Sequence, residues 1–408
     1  MKLFKNIEIS RIYGVNPTTV TNWIEASLLG KNNLILENKD DRKLIVDNQQ
    51  NRIILEQLTQ TGKKHKSKDS YILIEPKPKF YQTFDGKNLV KLINSLENNR
   101  EIPHNFTYLN GGADCWRAYA ERTFRENMVN TITNTLDMLE TSMAYLLKNI
   151  QQGYKVNIID IGVGDASPVK NFLAQLIELQ LINKYIAIDF SPEMLEIAEE
   201  NVKNWFGEKI NFEKYVADIS SDSIQDILFY SSKSLTNKNK IINLVLFIGS
   251  TIENQMDYFK TLSNLKDNLS GDDILFLGET LDSNNSKIYF DLNATNQELE
   301  QKIPFQEKWI PELLNLDEKL YDTIVFYSET DKTRKMQLIL NSDIDLVLKK
   351  DDFVTKITLQ KGEKITVWRH KHHSTEEIIK NLSSLGLTVK NFTTSEDLAQ
   401  ALIVCSIS

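Results

Sequence analysis

The run Val156-Asn157-Ile158-Ile159-Asp160-Ile161-Gly162-Val163-Gly164-Asp165-Ala166-Ser167 restricts the fold more than any other part of this chain. A continuous apolar stretch ending in an acid reads as a strand buried on both faces, as in a parallel sheet. A G-x-G turn then feeds a helix expected from Pro168 to Leu179. In an open parallel sheet that turn lies at the strand's C-terminal edge, where glycines let backbone N–H groups approach a ligand. A lone G-x-G is a weak signal. A second strand, Tyr185-Ile186-Ala187-Ile188-Asp189-Phe190-Ser191, strengthens it. It ends in an acid about 25 residues beyond the first glycine, where a carboxylate can accept hydrogen bonds from both hydroxyls of a ribose.

Two later strands narrow the ligand. Phe212 to Val216 leads into Ala217-Asp218-Ile219, where an acid beside an apolar residue can address the amino group and face of an adenine. Ile242 to Ile248 is a fourth strand, followed by the small residues Gly249-Ser250-Thr251. A nicotinamide dinucleotide would want a third glycine where Ser167 stands. Acid-ended strands with a small-residue loop are the signature of class I methyltransferases. The expected fold class is therefore α/β, a Rossmann-like sheet with an inserted or appended substrate-binding subdomain. The expected cofactor is S-adenosylmethionine, held by Asp160, Gly162, Gly164, Asp189, Phe190, Asp218, Ile219 and Gly249.

Leu244-Val245-Leu246-Phe247-Ile248-Gly249-Ser250-Thr251-Ile252-Glu253-Asn254 resembles the F-L-G-S-T-I-x-N stretch of the histidine-specific Nα-methyltransferase family of the ergothioneine-pathway type. The resemblance covers about residues 75 to 400 and is strongest from 156 to 254. It implies that Gly162 and Asp189 hold the cofactor, that Asp218 reaches its adenine and that Asn254 binds the amino-acid end of a substrate. Tyr108 falls where the family places a substrate-contacting tyrosine, and Tyr81 and Thr251 join that set. Read from chemistry alone, a carboxamide past a strand end can donate to a carboxylate and accept from an ammonium, but it serves equally as a helix N-cap. Family members that bind histidine carry T-E-x-S on a late strand. By register from Gly362, Trp368 here replaces the Glu and His370 the Ser, which implies an acceptor other than histidine. Strand alternation puts Trp368, His370 and His372 on one face, suited to an apolar or cationic acceptor.

At 408 residues the chain is long enough for about two to three domains. We expect one at 1–68 and another at 69–408, the latter with a helical substrate-side segment (75–150), a cofactor core (151–280) and a substrate subdomain with the final strands (281–408). Residues 1–70 hold 12 Lys and Arg against 8 Asp and Glu, a balance of +4, which leaves −12 for the rest of the chain. Ile7 to Tyr13 and Pro17 to Ala26 read as helices about a Gly14-Val15-Asn16 turn, with Val20, Trp23 and Ile24 on one face. Leu34 to Asn38 and Arg42 to Val46 read as strands about Lys39-Asp40-Asp41. A helix from Asn48 to about Thr61 then turns Ile53, Ile54 and Leu58 to one side, and Lys63 to Lys68 reads as a linker. The head resembles small winged helix-turn-helix domains of the MerR and excisionase type. That implies Thr18, Thr19, Thr21 and Asn22 facing a DNA groove, with protein docking as the alternative. From about Tyr71 to Ile150 the pattern is helical, with Leu89, Leu92, Ile93 and Leu96 forming a stripe, Phe124 to Ile150 a long amphipathic run, and Gly111-Gly112 an interhelix turn or a close approach to a ligand.

Cys115 and Cys405 match neither a disulfide framework nor a metal pair. They favour a reducing compartment, and the cytoplasm is the expected location. No stretch approaches about 18 apolar residues, so no membrane partner is expected, and the N-terminus lacks the features of a signal peptide. His370, His372 and His373 invite a zinc reading, yet no acidic or Cys ligand stands beside them and methyl transfer needs no metal; none is expected. An acceptor amine must be unprotonated when it attacks, and Glu279 and His370 are the candidate bases, Glu279 being equally readable as a plain strand-end carboxylate. Three readings follow from these motifs and resemblances: a small-molecule N-methyltransferase, a DNA-bound ligand sensor, and a nucleic-acid methyltransferase. The last is opposed by Gly249-Ser250-Thr251-Ile252, which offers no aromatic clamp for a flipped base.

Overall fold

The computed structural model describes residues 3–39, 42–64, 71–84, 86–150, 153–232, 240–289, 305–350 and 353–407. The chain divides into two compact units, Met1–Tyr71 and Ile72–Ser408.

The first unit runs β1 (Leu3–Phe4), α1 (Asn6–Tyr13), α2 (Pro17–Leu28), β2 (Leu36–Lys39), β3 (Arg42–Val46) and α3 (Gln49–Lys64). Asn16 caps α2 by accepting from the Thr18 N–H at 2.8 Å, with Pro17 at the first helical position. The antiparallel sheet has the order β1-β3-β2. Its first strand was not foreseen. The buried face of α3 is also rotated from expectation: Leu55 is fully buried, whereas Ile53 is 49% exposed. The reason is Asn51, buried on the same side, whose carboxamide takes the Ile35 N–H and donates to the carbonyls of Ile35 and Val46. Satisfying those strand groups sets the helix's rotation. Asp40 and Asp41 of the expected turn, and residues 65–70 with most of the expected linker, lie outside the described residues.

The second unit is built on a seven-stranded sheet of β5 (Tyr154–Ile161), β6 (Ile182–Asp189), β7 (Phe212–Val216), β8 (Lys240–Phe247), β9 (Ile274–Thr280), β15 (Leu387–Thr394) and β16 (Gln400–Ile407). The order is β15-β16-β9-β8-β5-β6-β7, parallel except for β16, which runs antiparallel to β9 and β15. Both faces are covered. Ile158 packs with α7 (Thr131–Asn149), α8 (Lys170–Glu178) and α9 (Pro192–Phe206), while Ile159 and Ile161 pack with α10 (Gln225–Ser232), α11 (Tyr258–Asn268) and α14 (Thr375–Ser384). The chain leaves β5 toward β6 and β7 on one side and returns to β8 and β9 on the other. A crevice therefore opens at the C-terminal ends of β5 and β8, the place where open α/β sheets bind ligands.

A lobe stands beside this sheet. It combines β4 (Ile72–Ile74), α4 (Pro78–Thr83) and α5 (Gly86–Asn99) with the distant α13 (Phe305–Leu313), β10 (Tyr321–Ser328), β11 (Thr333–Leu340), β12 (Ile344–Lys350), β13 (Phe353–Leu359) and β14 (Lys364–Lys371). Two three-stranded sheets result, β10-β11-β14 and β13-β12-β4, with β4 parallel to β12. The predicted stripe Leu89, Leu92, Ile93 and Leu96 is buried in its core. Two expectations change here. The segment from Tyr71 opens with a strand rather than a helix. The run from Phe124 to Ile150 breaks into α6 (Gly112–Arg125) and α7, because Asn127 adopts a left-handed backbone and Asn130 caps the next helix, accepting from the Ile132 N–H at 2.9 Å. A short α12 (Asn284–Tyr289) follows β9. Among the described residues no helix is long and apolar enough to cross a membrane.

Candidate active site

A cavity of about 970 Å³ fills the crevice at the ends of β5, β6 and β8 and continues under the lobe. Asp160, Gly162, Gly164, Asp189, Phe190, Asp218, Ile219 and Gly249 all line it. Gly162 (φ 68°) and Gly164 (φ 57°) both have left-handed backbones. A Cβ at 162 would stand 2.6 Å from the Thr251 side chain, and one at 164 would stand 3.0 Å from Trp116 Nε1. Only glycine keeps this turn open. Asp189 accepts the Ser191 N–H at 2.9 Å and the Gly164 N–H at 3.4 Å, tying the two strand ends together. Burial pushes its carboxyl up to about 6 against those hydrogen bonds. Asp160 accepts from the Tyr185 hydroxyl at 2.7 Å, and burial pushes it up to about 7.

Asp218 is already engaged. Lys91 of α5 pairs with one carboxylate oxygen, and Ser220 donates to the other from its N–H at 3.0 Å and its hydroxyl at 2.6 Å. After β8, Ser250 holds a left-handed backbone (φ 69°), a strained choice for a residue with a side chain. Its hydroxyl and the Trp116 Nε1–H are buried and have no hydrogen-bond partner among the described residues. Both residues line the cavity. Buried polar groups are normally paired, so these two are suited to a ligand's acceptor atoms. A glycine cradle, paired strand-end carboxylates and two waiting donors fit a polar nucleoside such as the one anticipated from the sequence.

Beyond the crevice the walls become apolar, with Trp116, Tyr119, Met128, Ile132, Met256, Met336 and Trp368 among them. Tyr108, Thr251, Asn254, Trp368 and His370 meet there, as expected. Asn254 is no helix cap: Asp257 caps α11, accepting from the Lys260 N–H at 3.0 Å. His370 lies fully buried, its ring stacked on Trp368 at 5.9 Å, with Nδ1 3.2 Å from Asn254 Oδ1 and Nε2 2.9 Å from Thr280 Oγ1. Burial, helped by neighbouring His372, holds its imidazole well below the usual range. With both ring nitrogens engaged, it is not placed to serve as the expected base.

Two further expectations are corrected by position. Glu279 does not line the cavity; it is buried behind it, taking the Tyr258 hydroxyl and lying 3.0 Å from His373 Nδ1. Tyr81 is also outside, its hydroxyl accepting the Lys349 N–H at 2.9 Å. The alternation of β14 holds otherwise. Trp368 and His370 face the cavity, whereas Arg369 pairs with Glu101 and Lys371 donates to the Asp331 carbonyl. His372 turns aside to Ser286 Oγ at 3.1 Å. Among the described residues no group of three or more His, Cys, Asp or Glu could hold a metal ion.

Sequence reasoning missed His104, Trp116 and Lys91. His104 is buried in the cavity wall with Nε2 3.1 Å from the Tyr108 hydroxyl, and burial lowers it to about 4. The only available signal was its spacing of one helical turn from Tyr108.

Residues 89–407 match the family described as histidine-specific methyltransferase, SAM-dependent. No curated protein matches the chain. Similar solved structures include an S-adenosylmethionine-dependent methyltransferase from Clostridium acetobutylicum, at 10% identity over 72% of this chain and 99% of that one, with a TM-score of 0.37. Another is the magnesium protoporphyrin IX methyltransferase from Synechocystis with bound SAH, at 12% identity over 73% and 95%, with a TM-score of 0.38. The CMeT domain of the citrinin polyketide synthase is similar at 13% identity over 96% and 78%, also with a TM-score of 0.38.

Proposed function

Because the chain belongs to the histidine-specific, S-adenosylmethionine-dependent methyltransferase family, we propose that it transfers methyl groups to the nitrogen of an amino acid or related small amine other than histidine. The observation that carries this reading is that Tyr108 and Asn254 share one cavity with the Asp160, Gly162 and Asp189 cradle, while Trp368 and His370 stand where histidine-binding relatives are expected to present Glu and Ser.

The sulfonium of the cofactor supplies an electrophilic methyl group, so the protein's work is alignment and exclusion of water. The backbone N–H groups at Gly162 and Gly164 and the Asp189 carboxylate would hold the nucleoside, with Asp218 and Ile219 at the adenine. Tyr108 and Asn254 would bind the acceptor's polar end, and Thr251 would press the cradle from the acceptor side. Met256, Met336 and Trp368 keep the transfer path dry. His104 and His370 stay uncharged through burial, which spares the cationic cofactor two like charges. The acceptor's proton leaves to solvent. Calorimetry with S-adenosylmethionine followed by a tritiated-methyl assay over amino acids and small amines tests the proposal. Cofactor binding without transfer to any of them would overturn it and favour a ligand sensor.

For residues 1–71 we propose a winged helix-turn-helix module that contacts DNA. Support comes from α1 and α2 about a tight turn beside a small antiparallel sheet, with Thr18, Thr21 and Asn22 exposed on α2 and Thr19 half-buried. Affinity for duplex DNA that falls steeply with salt and vanishes on deleting residues 1–71 is the expected result. Salt-independent or deletion-insensitive binding would reject it and leave protein docking.

A further inference from the structure

The acceptor end of the cavity contains a buried polar chain that the transfer step does not consume: Thr280, His370 and Asn254 in hydrogen-bonded succession. Each link has a direction. A neutral imidazole donates from one nitrogen and accepts at the other, and the tautomer is set by what each nitrogen faces. Nδ1 of His370 faces the carbonyl oxygen of the Asn254 carboxamide, which can only accept, so the ring hydrogen belongs on Nδ1. Nε2 is then an acceptor and takes the hydroxyl hydrogen of Thr280 at 2.9 Å. Thr280 is fully buried and its own N–H is spent on Glu253 Oε1 at 2.7 Å, which fixes the residue from which the hydroxyl projects. Trp368 stacked on one side of the His370 ring and His372 edge-on at 5.2 Å keep the imidazole from rotating. With its oxygen held by His370, the Asn254 carboxamide has its NH₂ left for the cavity it lines.

We infer that His370 is a positioning residue: it locks the Asn254 carboxamide with its amide hydrogens toward the cavity, so the site selects an acceptor that carries an oxygen hydrogen-bond acceptor, a carboxylate above all, beside its amine. The selection of the acceptor rests on the function proposed above; the polarity of the chain does not. A polarised carboxamide held this way rejects a bare amine, because an N–H or ammonium opposite the Asn254 NH₂ sets donor against donor.

The chain holds five histidines, His65, His104, His370, His372 and His373, so imidazole nitrogen resonances of the full-length protein labelled with ¹⁵N-histidine can be assigned one by one, with His370→Gln identifying the signal of interest. His370 is expected as the neutral Nδ1–H tautomer throughout pH 6.5 to 8, unchanged in Thr280→Ser, which keeps the hydroxyl. Asn254→Leu, which removes the acceptor facing Nδ1 and leaves the Thr280 hydroxyl able to accept, should shift the ring toward the Nε2–H form. An Nε2–H ring or an imidazolium in the wild-type protein overturns the inference. The acceptor arm compares methyl transfer to L-tryptophan with tryptamine and to L-histidine with histamine. The carboxylate-bearing member of a pair should be preferred by about tenfold or more, and the preference should shrink in His370→Phe, which cannot hold the carboxamide oxygen, and survive in Thr280→Ser. Equal or better transfer to the decarboxylated amine overturns the selection. No transfer to any of the four with the Nδ1–H tautomer present would sink the amino-acid reading and uphold the polarity.

Discussion

Asp189 and Asp160 sit where a cationic ligand would repay the cost of ionising a buried carboxyl. Among the described residues Asp189 is bonded to backbone N–H groups, those of Ser191 and Gly164 foremost, and a carboxylate so held keeps acceptor positions for ribose hydroxyls. Asp189→Ala is expected to weaken S-adenosylmethionine binding by about 10- to 100-fold in calorimetry, the worth of hydrogen bonds to a charged group. Unchanged affinity would remove Asp189 from the nucleoside site. The pH dependence follows from the same two groups. Burial raises Asp160 to about 7 and Asp189 to about 6, above their values in the unfolded chain. The folded protein therefore holds more protons than the unfolded one between the two sets of values. Their contribution to the stability of the ligand-free protein is full in acid and is lost as the pH rises through 6 to 7. Binding a cation runs the other way, since it favours the ionised carboxylates. Affinity for the cofactor should rise from pH 5.5 to 8, and thermal shifts on adding cofactor should grow over the same interval. A flat profile would mean that neither carboxyl feels the ligand's charge.

Helix α5 shows how an element imports residues that no local pattern announces. Lys87 and Lys91, one turn apart, reach the loop after β7 and pair with Asp222 and Asp218. The two pairs differ in setting. The Lys87 side chain is 73% exposed, whereas the Asp218 side chain is 8% exposed. Lys91→Met is expected to destabilise by about 3 kcal/mol, because it strands a buried carboxylate, and Lys87→Met by under about 1 kcal/mol. Urea titration of the two variants checks this, and equal losses would contradict the difference in burial. The same contrast explains what could be read beforehand. β5, β6 and β8 announce themselves because strands buried on both faces must be continuously apolar, and their terminal carboxylates and glycines come with them. β1 and β4, at two and three residues, carry no such pattern; each exists because a distant strand, β3 or β12, offers an edge. Lys91, His104 and Trp116 reach the cavity only through tertiary packing, whereas Tyr81, expected at the substrate, and Glu279, expected as a base, are turned into other hydrogen bonds.

The whole molecule divides into two compact units. Residues 1–71 have a core of their own around Ile9, Val20, Ile24, Ile45 and Leu55, and among the described residues the cavity is lined by those of the second unit. A protein beginning at residue 72 should accordingly bind S-adenosylmethionine with affinity within about threefold of the full chain. A larger loss, by calorimetry, would tie the head to the cofactor site. The lobe over the cavity has no such independence. Its core joins Ile74 to Leu109 with Trp309 to Val367, and the strands of the cofactor sheet from β5 to β9 are spelled between those stretches. During synthesis the first part of the lobe therefore waits, its apolar face uncovered, through the whole of β5 to β9 for a partner not yet made. The chamber's roof is finished only after β14 leaves the ribosome, and its floor later still, when β16 closes against β9, so an interrupted chain would hold neither complete.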